Sequence, residues 1–374
     1  MAYKQRANRT VPEGATGATS HTDHGVLLGS GTDALSATSA GTSGYALTSD
    51  ATNDPTFVNY PTFFEVLASD PSSPSAGDAW YNSTSDLFRG AIPGGTGTWS
   101  NIASLSATNT QTGGGGTPDD ALMFGGALSG SITTQRYAPN TWTAKANMGT
   151  GGSEIAGCGA TGGDCLAAGG NTSSKHSERY DGSADTWSAK HATNSIHIAG
   201  NMAGDAGDAL LFGSDLSGIS TERYDGSADT WSTKADLNTG GSGGGRAGDA
   251  SDALYFGMSD LPNASQQYNG TGDTWTNKNN LSSTRFIQGG SGPSTLAISI
   301  GGDDGGPTTT CEKFDGTNWS SADSMNTGVT QMGTSSFQGS SNMALKATGA
   351  GISGSVASAE ILGGGTTTVT FTVT

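Results

Sequence analysis

The sequence predicts an all-β fold assembled from repeated four-stranded sheets. Composition is the first observation. Of 374 residues, 61 are Gly, 33% are hydrophobic and 13% are charged. That profile is poor in helix formers and rich in turn formers. The second is a period. Trp99, Trp142, Trp187, Trp231, Trp275 and Trp319 follow one another at intervals of 43 to 45 residues. The third is the lack of a helical 3.6-residue pattern anywhere, beside short apolar runs bounded by Gly, Asp, Asn and Ser.

Residues 1–61 stand outside the period and read as an extended Gly/Ser/Thr-rich leader. Its first ten residues carry Lys4, Arg6 and Arg9, a basic patch that reads either as a solvated tail or as a dock for an acidic partner. Residues 26–60 have too few apolar side chains for a private core, which suits an anchor that orders on binding. Residues 62–100 concentrate Phe63, Phe64, Trp80, Tyr81, Phe88 and Trp99, enough for a small β module.

Residues 101–374 hold the repeat. Each unit has a short apolar run ending near Gly: "ALMFGG" (121–126), "CLAAGG" (165–170), "ALLFGS" (209–214), "ALYFGM" (253–258) and "AISIGG" (297–302). An aromatic and then Trp follow. The second unit gives four strands in order: A near 154–160, B over "DCLAAGG", C over "ERYDG" and D over "TWSAK". An apolar run as continuous as strand B suits a strand covered on both faces. A sixth, degenerate unit follows Trp319, with B in 342–349, C in 358–362 and "TTVTFTVT" (367–374) standing for D. A four-stranded sheet every 44 or so residues matches the period of a β-propeller, and six blades are expected. Either the Trp99 segment or the C-terminal strand completes the last blade.

The units "LMFGG…RYAPNTW" (122–142), "LAAGG…RYDGSADTW" and "ISIGG…KFDGTNW" resemble the kelch repeat, which has an apolar run, a Gly doublet and then a spaced Tyr and Trp. Units three and four depart from it, with Ser214 and Met258 at the second Gly. The leader segment "HGVLLGSGTDALSATSAGTSGYALTSDATNDPTF" (24–57) resembles leaders of bacteriophage tail-fibre proteins. The segment "ASDPSSPSAGDAWYNSTSDLFRG" (68–90) resembles a small module of phage virion proteins. These resemblances imply a virion-surface protein made in the host cytoplasm. The leader would bind other capsid or tail proteins and could trimerise, while a kelch-like propeller is displayed towards a host-surface glycan or protein.

Chemistry is sparse. A net charge of -17 argues against nucleic acid and anionic membranes as partners. No apolar stretch is long enough to span a bilayer, and the N-terminus has no secretory h-region. Cys158 and Cys165 face each other across a turn, Cys311 stands apart, and no metal or redox spacing occurs. His21 and His24 read as exposed polar residues. Asp181, Asp185, Asp225 and Asp229 read as turn residues and not as a calcium loop. Glu178, Glu222, Glu312 and Glu360 share one repeat position and read as architecture. No cofactor, metal or catalytic residue is expected. Leu216, Leu261, Asp303 and Asp304, in the variable B–C loops, are the candidates for a contact face. A glycan-active enzyme remains the alternative, requiring two carboxylates in a central pocket. A kelch-type interaction scaffold is a third reading.

Overall fold

The computed structural model describes residues 98–363 apart from 128–131, 139, 172–174, 216–217, 336–343, 353 and 356. It also describes short segments between residues 27 and 95 and the strand Gly365–Thr370. Lys4, Arg6, Arg9, His21, His24 and Leu216 lie outside the described residues. The chain divides into two compact units, one of residues 1–92 and 368–374 and one of residues 93–367.

The larger unit is a six-bladed β-propeller with no helix among the described residues. Each blade is an antiparallel sheet in the order A–B–C–D. Blade 1 comprises Gly113–Thr117, Asp120–Phe124, Thr134–Ala138 and Thr141–Lys145. Blade 2 comprises Ile155–Thr161, Asp164–Gly169, Ser177–Asp181 and Thr186–Ala189. Blade 3 comprises Asn201–Gly204, Asp208–Ser214, Gly218–Asp225 and Thr230–Lys234. Blade 4 comprises Gly245–Gly248, Ala253–Met258, Leu261–Asn269 and Thr274–Lys278. Blade 5 comprises Gly289–Ser291, Ile298–Ile300, Cys311–Phe314 and Trp319–Ala322. Blade 6 takes A, B and C from Gly333–Thr334, Ala344–Ala347 and Ala359–Leu362, and D from Trp99–Ile102.

The D strand of blade 6 decides the ring closure. The sequence expectation that 367–374 stands for that strand does not hold. Gly365–Thr370 instead joins a sheet with Leu87–Gly95, Ala79–Asn82 and Glu65–Leu67, in that order. The physical reason is the tryptophan. Trp99 brings an indole to the seam that all other D strands fill with Trp, and its Nε1 donates to the Asp323 carbonyl at 3.1 Å. The C-terminal strand has no Trp.

Strand B works on both faces, as a continuous apolar run requires. In blade 3, Ala209 and Leu211 pack into the seam with blade 2, and Leu210 and Phe212 into the seam with blade 4. The six blade-to-blade seams each hold one cluster of buried side chains. Within each of blades 1 to 5 the C-strand aromatic pairs with the D-strand Trp, as in Tyr224–Trp231 at 5.1 Å. The A strands touch one another in a closed ring and line the axis.

The smaller unit contributes two hairpins, Leu27–Leu28 with Ser36–Ala37 and Tyr45–Thr48 with Thr56–Asn59. In its four-stranded sheet, Glu65–Leu67 runs parallel to Ala79–Asn82.

Candidate functional site: the axial cavity

A residue one or two positions before each A strand adopts the left-handed backbone conformation. These are Gln111 (φ 58°), Glu154 (62°), Ala199 (52°), Gly243 (66°), Ile287 (54°) and Gln331 (54°). For a residue with a Cβ this conformation costs about 1–3 kcal/mol and persists only where surroundings enforce it. Here backbone hydrogen bonds enforce it from blade to blade. The Glu154 N–H donates to the Gln111 carbonyl at 2.9 Å, Ala199 to Glu154 at 3.2 Å, and Gly243 to Ala199 at 3.1 Å. Gln331 donates to Ile287 at 3.1 Å and Gln111 to Gln331 at 2.8 Å. The six residues line an axial cavity of about 360 Å³ at the end where the B–C loops lie.

Three residues further along, the six positions are Gly114, Gly157, Met202, Arg246, Gly290 and Thr334. Arg246 reaches across the axis there. Its Nη2 donates to the carbonyls of Gly114 at 3.0 Å and Gly157 at 2.7 Å, and its Nη1 to Thr334 Oγ1 at 3.4 Å. One side chain from blade 4 thus ties blades 1, 2 and 6. Its Nε is buried and has no hydrogen-bond partner among the described residues. Burial lowers the pKa of this guanidinium from its ordinary value.

Two carboxylates also line the cavity, Glu154 and Asp215. Glu154 Oε1 accepts a hydrogen bond from Gln111 Nε2 at 2.9 Å. Burial first, and the charge of Asp215 second, raise the Glu154 pKa. Around them are the polar side chains of Thr112, Asn201, Ser242 and Ser259, and the apolar edges of Ile155, Met202, Phe286, Ile287 and Met332. The mixture can hydrogen-bond a polar ligand and cover its apolar faces.

The repeated carboxylates serve the scaffold, as their periodicity implies. Glu222 is fully buried and accepts N–H bonds from Asn194 at 2.7 Å and Ser195 at 2.6 Å, both in the loop arriving from blade 2. Glu178, Glu312 and Glu360 accept corresponding bonds from Gly149 and Thr150, from Ser282 and Ser283, and from Asn326 and Thr327. Each also meets one cation or histidine: His176, His197, Arg285 or Lys346. Blades 1 and 4 carry Gln135 and Gln266 at that position, which accept from Ser106 and Asn238. A neutral amide needs no counter-charge, and a buried carboxylate does.

The turn aspartates are structural as well. Asp181 and Asp225 accept the N–H groups of their own turns. Asp185 and Asp229 accept a Tyr hydroxyl and an N–H from the preceding blade. Cys158, Cys165 and Cys311 are buried free thiols, and burial raises the pKa of each.

Leu261, Asp303 and Asp304 are not among the residues that line the cavity. Leu261 opens strand C of blade 4, is 46% exposed and borders a shallow groove with Thr239 and Asn263. Asp303 and Asp304 follow strand B of blade 5. Asp303 bridges the backbones of Phe286 and Pro307, and its Oδ1 accepts the Gly305 N–H at 2.9 Å. The lining residues themselves went unmarked in the sequence analysis. Their signal is present, because they recur with the Trp period, and Glu154 and Arg246 are the charged exceptions in their two sets of equivalents.

No family model matches the chain, and no curated protein matches it in sequence. Its fold does match a solved structure of YjhT. The TM-score is 0.57 at 13% identity, over 72% of this chain and 99% of that one. The shared property is the propeller fold alone. The six-bladed architecture is thereby supported twice, by strand pairing and by likeness.

Proposed function

We propose that this chain is a displayed binding module of a tailed-phage particle, with the propeller taking a polar host-surface ligand in its axial cavity and the N-terminal leader holding the particle. The observation that carries the binding half is the cavity itself. It is preformed, ringed by residues held in a costly backbone conformation, and lined by converging polar groups around one cation. Support for the particle half is the resemblance of residues 24–57 and 68–90 to phage leader and virion modules. The test has two arms. Electron microscopy of purified particles should locate the chain at the surface in fixed stoichiometry, and a glycan array should give hits that saturate. Recovery of the chain only as a free monomer would end the virion reading.

One observation favours a second reading, a glycan-active enzyme. Glu154 and Asp215 line the same cavity, and burial first and the Asp215 charge second raise the Glu154 pKa, as a general acid requires. Turnover of any glycoside that disappears in Glu154→Gln would select this reading over simple binding.

A further inference from the structure

We infer that the floor of the axial cavity is a subsite for a small carboxylate, with Arg246 as its cationic anchor. The inference rests on the reading that the cavity takes a ligand, and it specifies the ligand's chemistry.

The contrast among arginines carries it. Arg136, Arg179, Arg223 and Arg285 each pair with a carboxylate of this chain: Asp120, Asp164, Asp208 and Glu312. Arg246 pairs with none among the described residues. Its hydrogen-bond partners are two carbonyls and a hydroxyl, all neutral. A guanidinium has five N–H donors. Three are used, and the buried Nε–H meets no acceptor. Leaving a charged donor unmatched out of water is costly unless something compensates it. In a chain of net charge -17, with an aspartate or glutamate beside each of those four arginines, this exception lines the cavity.

A carboxylate on the cavity floor would neutralise Arg246. A small rotation of the guanidinium would let it accept the Nε–H, a charge-assisted bond about twice as strong as a neutral one. Glu154 and Asp215, nearer the B–C loops, repel a second negative charge. The ligand therefore enters carboxylate first and leaves neutral or hydrogen-bond-donating groups at the mouth, facing Glu154, Asp215 and Gln331. The protein's negative field slows anion entry at low salt and is screened at physiological ionic strength.

The test uses the full chain and two isosteric probes, acetate and acetamide, at matched ionic strength. Acetate should shift the Arg246 Nε–H cross-peak in nitrogen–proton correlation spectra in a saturable way and raise the melting temperature, while acetamide does neither. Arg246→Lys should abolish the acetate response. Should that variant fold poorly, Glu154→Gln is the independent measure. It should tighten acetate by a factor of a few at low salt and by less at high salt. Equal responses to acetate and acetamide overturn the inference, as does a lowered melting temperature in Arg246→Lys with the acetate response intact, which marks a purely structural spoke. An acetate site without any host-surface ligand removes only the display reading. A host ligand bound equally well by Arg246→Lys removes only the carboxylate.

Discussion

Trp99 pairs with Leu362, so the last blade takes its outer strand from a segment that precedes the first. The indole also fills the seam with blade 5, beside Ile298, Ile300 and Cys311. This closure ties the two ends of the repeat array, which would otherwise leave an unpaired strand edge. Trp99→Ala should cost about 3–5 kcal/mol in urea unfolding. Hydrogen exchange should accelerate first at Ala359–Leu362. Acceleration spread evenly over all blades would contradict a local latch.

Acid should loosen the seams. Burial pushes the Glu222 pKa up, but hydrogen bonds from His197, Asn194 and Ser195 outweigh it and hold the group below its usual 4.5. Glu178 and Glu312 are lowered in the same manner by their own donors. A carboxyl depressed in the folded state contributes stability above its unfolded pKa and loses it as pH falls through the folded value. Stability should therefore be held near neutrality and decline below about pH 4.5. Glu222→Gln should cost about 1.5–3 kcal/mol at pH 7 and flatten that decline, measured by denaturant titration across pH.

Asp229 carries two duties at φ 51°. It accepts the Tyr224 hydroxyl at 2.7 Å and the His191 N–H at 3.1 Å. Asn tolerates this conformation and keeps one acceptor, whereas Ala has neither advantage. Asp229→Asn should be the milder change, and Asp229→Ala should cost about 1–2 kcal/mol more. Equal losses would mean that the backbone, and not the side chain, fixes the turn.

Two glycines near the axis should respond oppositely in scale. A Cβ on Gly243 would approach nothing nearer than 3.5 Å, and Ala199 occupies the equivalent place in blade 3. Gly243→Ala should cost only the left-handed conformation, about 1–2 kcal/mol. A Cβ on Gly245 would lie 2.2 Å from the Phe256 ring and 2.8 Å from the Gly289 carbonyl. Gly245→Ala should prevent soluble expression or lower the melting temperature far more. Comparable thermal shifts in the two variants would contradict the packing of the A strands.

The repeat was legible because its chemistry is local and periodic. Tyr180, Asp181, Asp185 and Trp187 form one strand–turn–strand corner whose contacts recur in the next copy, Tyr224 to Trp231. The sharing of Glu178, Glu222, Glu312 and Glu360 between blades was legible as architecture for the same reason. The cavity was not. Gln111, Glu154, Ala199, Gly243, Ile287 and Gln331 have no common side-chain chemistry, and what they share is a backbone conformation. Nothing in its local sequence marks Arg246, since its partners Gly114, Gly157 and Thr334 lie in three other blades.

The sequence by itself determined the blade. The Trp period, the two-faced apolar strand B and the Asx turns are each decided by neighbours within about one unit, so pattern and propensity suffice. Only the tertiary structure decided how the ring closes and what lies at its centre. Trp99 and Gly365–Thr370 both have strand character, and their choice of partner depends on which one can fill the seam between blades 5 and 6. The axial site arises where six A strands converge, and a single long cation reaches across them. Neither fact is encoded in any one repeat, because both are set by the geometry of six repeats around a common axis.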